Sequence, residues 1–61
     1  MFIKVTGFDV KGSTYLINTN NIYCVAEYAG KTRIIYTDDS NLRINESIDE
    51  VERMLKGADD E

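Results

Sequence analysis

Apolar and polar residues alternate along most of the first 45 residues of this chain. Alternation with a period of two, rich in β-branched and aromatic side chains, is typical of β-strands. Turn-forming residues such as Gly, Asn, Asp and Ser separate the alternating segments. The pattern therefore predicts five short strands, at residues 2–6, 13–17, 22–28, 32–36 and 41–45.

A helix is predicted directly after the last strand. Ser47 and Glu50 have the spacing of a capping box, in which each side chain accepts a hydrogen bond from the other residue's backbone N–H. Apolar residues three or four positions apart then form one stripe, at Ile48, Val51 and Leu55. Gly57 is a natural stop for this helix.

The order of these elements predicts an α+β fold that is mostly β. We expect a five-strand antiparallel meander, either an open sheet or a small curled barrel, with one C-terminal helix. Residues 1–57 would form a single domain, followed by an acidic tail at residues 58–61.

Strand alternation divides the apolar side chains between two sheet faces. One set belongs to the core beneath the helix: Ile3, Val5, Tyr15, Ile17, Val25, Ile34, Tyr36, Leu42 and Ile44. The opposite face also carries apolar residues, chiefly Phe2, Leu16, Cys24 and Ile35. One helix cannot cover both faces, so this second set predicts a partner interface. The alternative is that a curled sheet buries these residues internally.

The size of the chain favours self-association. A domain of 61 residues buries only ~60% of the surface that its unfolded chain exposes, and such domains often need further stabilisation. Cys24 is the only cysteine and histidine is absent, which excludes an internal disulfide and a zinc site of the usual kind. A homo-oligomer is the expected source of extra stability.

Charge is divided unevenly along the chain, whose net charge is -4. Residues 1–44 contain five basic and four acidic residues, whereas residues 45–61 contain two basic and seven acidic residues. An acidic end repels phosphate, which counts against nucleic acid and anionic membranes as partners. The alternative, a nucleic-acid-associated regulator, would use Lys4, Lys31, Arg33 and Arg43.

The residues for common catalytic and cofactor chemistry are missing. Without histidine no nucleophile–base pair of the usual kind can be assembled, and the glycines lack the spacing of a phosphate-binding loop. Asp38 and Asp39 are adjacent in a predicted turn, where aspartate is a common turn former. We expect no enzyme, no cofactor and no metal. No apolar stretch reaches the roughly 18 residues of a membrane span, and the first residues lack a signal peptide's apolar block. We therefore expect a cytoplasmic protein.

Several short motifs occur in the order found in one small bacterial family. They are Ile3-Lys4-Val5-Thr6, Ile17-Asn18, Ile22, Thr32-Arg33-Ile34 and Glu46-Ser47-Ile48-Asp49-Glu50-Val51. In these motifs the chain resembles the FlbD-like flagellar and swarming-motility proteins. The resemblance implies a small cytoplasmic accessory protein, linked to motility in flagellated bacteria. Similar short chains also look like phage or mobile-element proteins.

A second resemblance covers residues 21–55. The segments 22–27 and 51–55, with Arg43 between them, are similar to the core of a LytTR-type DNA-binding domain. Those domains carry further basic strands and loops after this point, where this chain has its acidic tail. The sequence as a whole predicts a small non-enzymatic interaction or accessory module that self-associates, with the nucleic-acid-associated regulator as the alternative.

Overall fold

The computed structural model describes the backbone of residues 1–60 and the side chains of residues 1–57. Its elements are β1 (Phe2–Thr6), β2 (Thr14–Asn18), β3 (Ile22–Tyr28), β4 (Lys31–Tyr36), β5 (Asn41–Ile44) and α1 (Ile48–Asp60). The predictions of five strands, one C-terminal helix and a mostly β, α+β chain are confirmed.

The five strands form two antiparallel sheets, so the prediction of a single five-strand meander is wrong. One sheet pairs β1 with β2, and the other has the order β3-β4-β5. Between β2 and β3, the segment Thr19–Asn21 forms a 3-10 turn. The Asn18 side chain accepts from the N–H of Asn20 at 3.0 Å, and the N–H of Thr19 donates to the carbonyl of Met1 at 2.9 Å. This turn redirects the chain, so β3 does not return alongside β2.

The two sheets meet where β1 and β5 end. Gly7 and Ile44 form an isolated antiparallel bridge. The N–H of Phe8 donates to the carbonyl of Arg43 at 3.0 Å, and the N–H of Asn45 donates to the carbonyl of Thr6, also at 3.0 Å. The ends of β1 and β5 therefore join the two sheets, and we call this junction the corner.

Glu46 secures this corner with its side chain. Its carboxylate accepts hydrogen bonds from the backbone N–H of Thr6, at 3.0 and 3.1 Å, and from the Thr6 hydroxyl at 3.1 Å. The Asn45 amide donates to the carbonyl of Gly7 at 3.0 Å. The next residue, Ser47, begins the helix cap. Neighbouring side chains thus connect the first strand, the last strand and the helix.

The capping box of α1 is confirmed. The N–H of Ser47 donates to the Glu50 carboxylate at 2.8 Å, and the N–H of Glu50 donates to the Ser47 hydroxyl at 3.1 Å. The predicted stop at Gly57 is wrong, because the helix continues to Asp60. Gly57 does not take the positive φ of a glycine cap and stays in the helix, where glycine costs only ~1 kcal/mol relative to alanine. Glu61, the last residue of the predicted tail, lies outside the described residues.

The core lies where the two sheets and the helix meet. Its buried apolar residues are Ile3, Val5, Ile17, Ile34, Ile44 and Val51; strand alternation predicted the first five and the helical stripe predicted Val51. Partly buried residues pack around them, and Ile22 and Met54 are additions to the predicted set. The first strand shows the alternation most clearly, since Ile3 and Val5 are buried and their neighbours are exposed.

Tyr36 makes the stability of the folded chain depend on pH in the alkaline range. Burial raises the pKa of its phenol above 10.0, and the neighbouring Tyr15 and Asp38 raise the pKa further. A raised pKa means that the unfolded chain releases this proton at lower pH than the folded chain does. The contribution of protonated Tyr36 to the free energy of unfolding is therefore fully present below pH ~10. It is lost as pH rises through the pKa of Tyr36 in the folded chain.

We expect Tyr36→Phe to unfold with a weaker pH dependence than the unmodified chain above pH ~10. Thermal unfolding followed by circular dichroism across neutral and alkaline pH measures this. Tyr23→Phe is the matched control, because Tyr23 is 76% exposed. If the two variants lose stability with pH in the same way, the effect does not come from burial of Tyr36.

Candidate functional site

An apolar groove of about 550 Å3 lies between β3 and α1. Apolar side chains from both elements line most of it: Ile22, Val25, Ile48, Val51 and Leu55. Asp49 and Glu52 bring carboxylates from the helix, and Tyr23 and Cys24 complete the wall on the strand side. The groove suits an apolar segment with polar or basic ends.

Strand β3 pairs with a neighbour on one side only, among the described residues. It is joined to β4 through Ala29 and Gly30, whose φ values of 53° and 77° are those of a type I′ turn. In such a two-residue hairpin the flanking pair, Tyr28 and Lys31, exchanges both backbone hydrogen bonds. Alternation then directs the N–H and C=O groups of Val25 and Glu27 away from β4. These groups form the free edge of β3.

A β-bulge interrupts the pairing of β3 with β4 near its start. Ile22 pairs with Tyr36 and Cys24 pairs with Ile35, which leaves Tyr23 as an extra residue. As a result, two successive residues, Tyr23 and Cys24, are exposed. Tyr23 is 76% exposed and lines the groove. A period of two cannot reveal this residue, because the bulge breaks the alternation.

The four predicted interface residues are divided between the two sheets. Phe2 and Leu16 lie on the two-stranded sheet and are 58% and 67% exposed. Cys24 and Ile35 form a cross-strand pair in the three-stranded sheet, with Cys24 exposed and Ile35 half-buried. The alternative that a curled sheet buries this face is wrong for Phe2, Leu16 and Cys24.

Three of the four residues predicted for a nucleic-acid site lie on one face. Lys31 and Arg33 are two positions apart in β4 and therefore share a face. The register places Arg33 directly opposite Arg43 of β5. Lys4 lies on the other sheet, opposite Leu16. The structure thus gathers Lys31, Arg33 and Arg43 and separates Lys4 from them.

Metal and membrane sites can be assessed for the part of the chain that the structure describes. It contains no group of three or more Cys, Asp or Glu residues that could hold a metal ion. It also contains no helix long and apolar enough to cross a membrane. Asp38 accepts hydrogen bonds from the Ser40 hydroxyl at 2.6 Å and the Ser40 N–H at 3.0 Å, and these bonds lower the pKa of its carboxyl. Asp38 therefore holds a turn together, as its position in the sequence predicts.

Comparisons of this chain with protein-family models, curated proteins and solved structures find no match. The resemblances to the FlbD-like family and to the LytTR core stay predictions.

Proposed function

We propose that this chain is a non-enzymatic interaction module that self-associates through the free edge of β3. The observation that supports this most directly is a seven-residue strand, Ile22–Tyr28, whose outer edge pairs with no other strand in the described part of the chain and lies beside an apolar groove. An unpaired strand edge is a template for another strand, and main-chain hydrogen bonds then supply affinity. The partner that we propose is a second copy of the chain.

The sequence of β3 is compatible with pairing to itself. An antiparallel pair centred on Val25 places each Val25 opposite its copy and each Glu27 opposite Tyr23. Glu27 is the only charged residue of β3, so this register avoids a like-charge pair. In this register, the N–H and C=O groups that point away from β4 in one copy form hydrogen bonds with those of the other copy. The two three-stranded sheets then become one sheet of six strands.

The groove strengthens this arrangement. A two-fold axis through the paired strands leaves both α1 helices on the same face of the joined sheet. The grooves of the two copies then open toward each other beside the new strand pair. Apolar side chains that line each groove, including Val25 and Leu55, would lose contact with water.

The proposed compartment is the cytoplasm. Cys24 is a free and exposed thiol. Reducing compartments keep such thiols from forming disulfides, whereas oxidising compartments favour their pairing. The accessory role implied by the FlbD-like resemblance belongs to the same proposal, with self-association as its physical basis.

Glu27→Pro tests the edge directly. Proline removes the N–H of residue 27, which points away from β4, and proline is tolerated on edge strands. We expect the unmodified chain to be a dimer and Glu27→Pro to be a monomer with unchanged far-UV circular dichroism. Absolute mass from size-exclusion chromatography with light scattering, at two protein concentrations, measures this.

Two control variants separate the possible causes. Glu27→Thr removes the charge but keeps the N–H, so it should stay dimeric. Ala26→Pro removes an N–H that is directed at Arg33 of β4, so it should lower the stability of the single chain. A monomeric unmodified chain, or a Glu27→Pro variant that stays dimeric, would refute self-association through the free edge of β3. If Ile35→Arg dissociates the dimer and Glu27→Pro does not, the interface lies on the outer face of the three-stranded sheet.

A further inference from the structure

The outer face of the three-stranded sheet is basic, although the chain as a whole is acidic. This face, opposite the core, carries Lys31, Arg33 and Arg43. No Asp or Glu occupies an outward-facing position of β3, β4 or β5, since Glu27 alternates to the other side. We call this surface the basic face.

The two arginines of the basic face are incompletely neutralised. Arg33 and Arg43 lie directly opposite each other, an arrangement of like charges that destabilises a strand pair. Arg33 donates a long hydrogen bond of 3.4 Å to the Asn41 side chain, and Arg43 lies 3.8 Å from the exposed carboxylate of Asp9. The Nε atom of Arg43 is buried without an acceptor. An anion between the two guanidinium groups would relieve this repulsion.

Aromatic rings accompany the cations. Tyr28 is 85% exposed and pairs across the hairpin with Lys31. Phe8, which is 49% exposed, packs against Arg43, whose guanidinium carbon is 4.3 Å from the ring centroid. A cleft of about 220 Å3 lies on this face, and its lining includes Ala26, Tyr28 and Arg33. Exposed rings that alternate with cations on an open sheet are the features of a single-strand binding surface.

We propose that the basic face binds single-stranded nucleic acid without strong sequence preference. The backbone phosphates contact Lys31, Arg33 and Arg43, and one base stacks on Tyr28 beside the cleft. A carboxylate-rich protein, such as the acidic helix of a second copy, would also suit the cations. The exposed Tyr28 ring favours nucleic acid, because carboxylates gain nothing from a stacking platform while every base has a π-face.

Fluorescence anisotropy with a labelled oligothymidylate, titrated with salt, tests the proposal. Three phosphate contacts predict that the logarithm of the affinity falls with the logarithm of salt concentration with a slope of about -2. Arg33→Gln should weaken binding and make the slope shallower by about 0.7. Tyr28→Thr should weaken binding by roughly 5- to 150-fold and leave the slope unchanged.

Lys4→Gln is the matched control, because it removes the same charge from the other sheet. It should leave both the affinity and the slope unchanged. Glu27→Pro should also bind as the unmodified chain does, which separates this proposal from self-association at the β3 edge. Each variant is checked by far-UV circular dichroism.

Three results would overturn the proposal. One is no binding of the oligonucleotide at low ionic strength. Another is an equal loss in Arg33→Gln and Lys4→Gln, which would indicate a diffuse charge effect. The third is self-association at low salt that Arg33→Gln abolishes, without oligonucleotide binding, which would assign the basic face to the acidic helix of a second copy.

Discussion

Replacing Ile34 with alanine is expected to unfold a large fraction of the protein. Ile34 is 0% exposed and lies in β4, the central strand of its sheet, between Val25 and Leu42. Removing a buried isoleucine side chain to alanine costs about 2 to 5 kcal/mol, because burial is lost and a cavity remains. Domains have about 0.05 to 0.15 kcal/mol of stability per residue, so this loss is comparable with the whole free energy of unfolding.

Urea denaturation followed by circular dichroism measures the effect. Ile35→Ala is the matched control, since it makes the same change one position along the same strand. Ile35 faces outward and is half-buried, so its truncation should cost much less. Equal losses in the two variants would mean that β4 is not the centre of the core.

The second large effect is expected from Gly7→Ala. Gly7 is buried at the corner where the two sheets meet. A Cβ atom at this position would lie 2.7 Å from the Tyr15 ring and closer still to the Ser13 hydroxyl oxygen. Overpacking of this kind typically costs about 1 to 3 kcal/mol, because the Ser13 and Tyr15 side chains must move out of their packed positions.

A comparison with a second glycine isolates the steric cause. Gly57 lies in α1, and a Cβ built on it meets no described atom within 4 Å apart from its chain neighbours and the backbone of its own helix. Gly57→Ala should therefore raise the free energy of unfolding by up to about 1 kcal/mol, opposite in sign to Gly7→Ala. The double variant Gly7→Ala, Ser13→Gly should recover part of the loss. Destabilisation by both single alanine variants, or none by Gly7→Ala, would contradict the close contact at the corner.

Local patterns predicted the core because alternation depends only on neighbouring residues. Val5, Ile34 and Ile44 could be assigned to the inner face from the period of two alone. The capping box at Ser47 was predictable for the same reason, since its two partners are three residues apart. These features need no knowledge of the tertiary structure.

The features that the sequence did not predict depend on which strands pair with one another. The turn at Thr19–Asn21 prevents β2 from pairing with β3, although both segments have the composition of strands. For this reason Phe2 and Leu16 are not on the same sheet as Cys24 and Ile35. A polar turn in the sequence does not distinguish a hairpin from a change of sheet.

The candidate surfaces were predictable in part. Alternation placed Lys4, Arg33 and Arg43 on one face and left Lys31 in the turn before the fourth strand, whereas the structure includes Lys31 in β4 beside Arg33 and puts Lys4 on the other sheet. The groove between β3 and α1 was not predictable, because it depends on how the helix packs against a strand far from it in sequence. The free edge of β3 follows only from the absence of pairing with β2.

The contact between Glu46 and Thr6 bears on the order of folding as well as on the stability of the folded chain. These residues are 40 positions apart, so closing the corner costs more chain entropy than closing either hairpin. The two hairpins β1–β2 and β3–β4 need only short-range contacts and can form earlier. Joining the sheets is therefore a late step of folding, and until then the backbone N–H of Thr6 lacks its carboxylate acceptor.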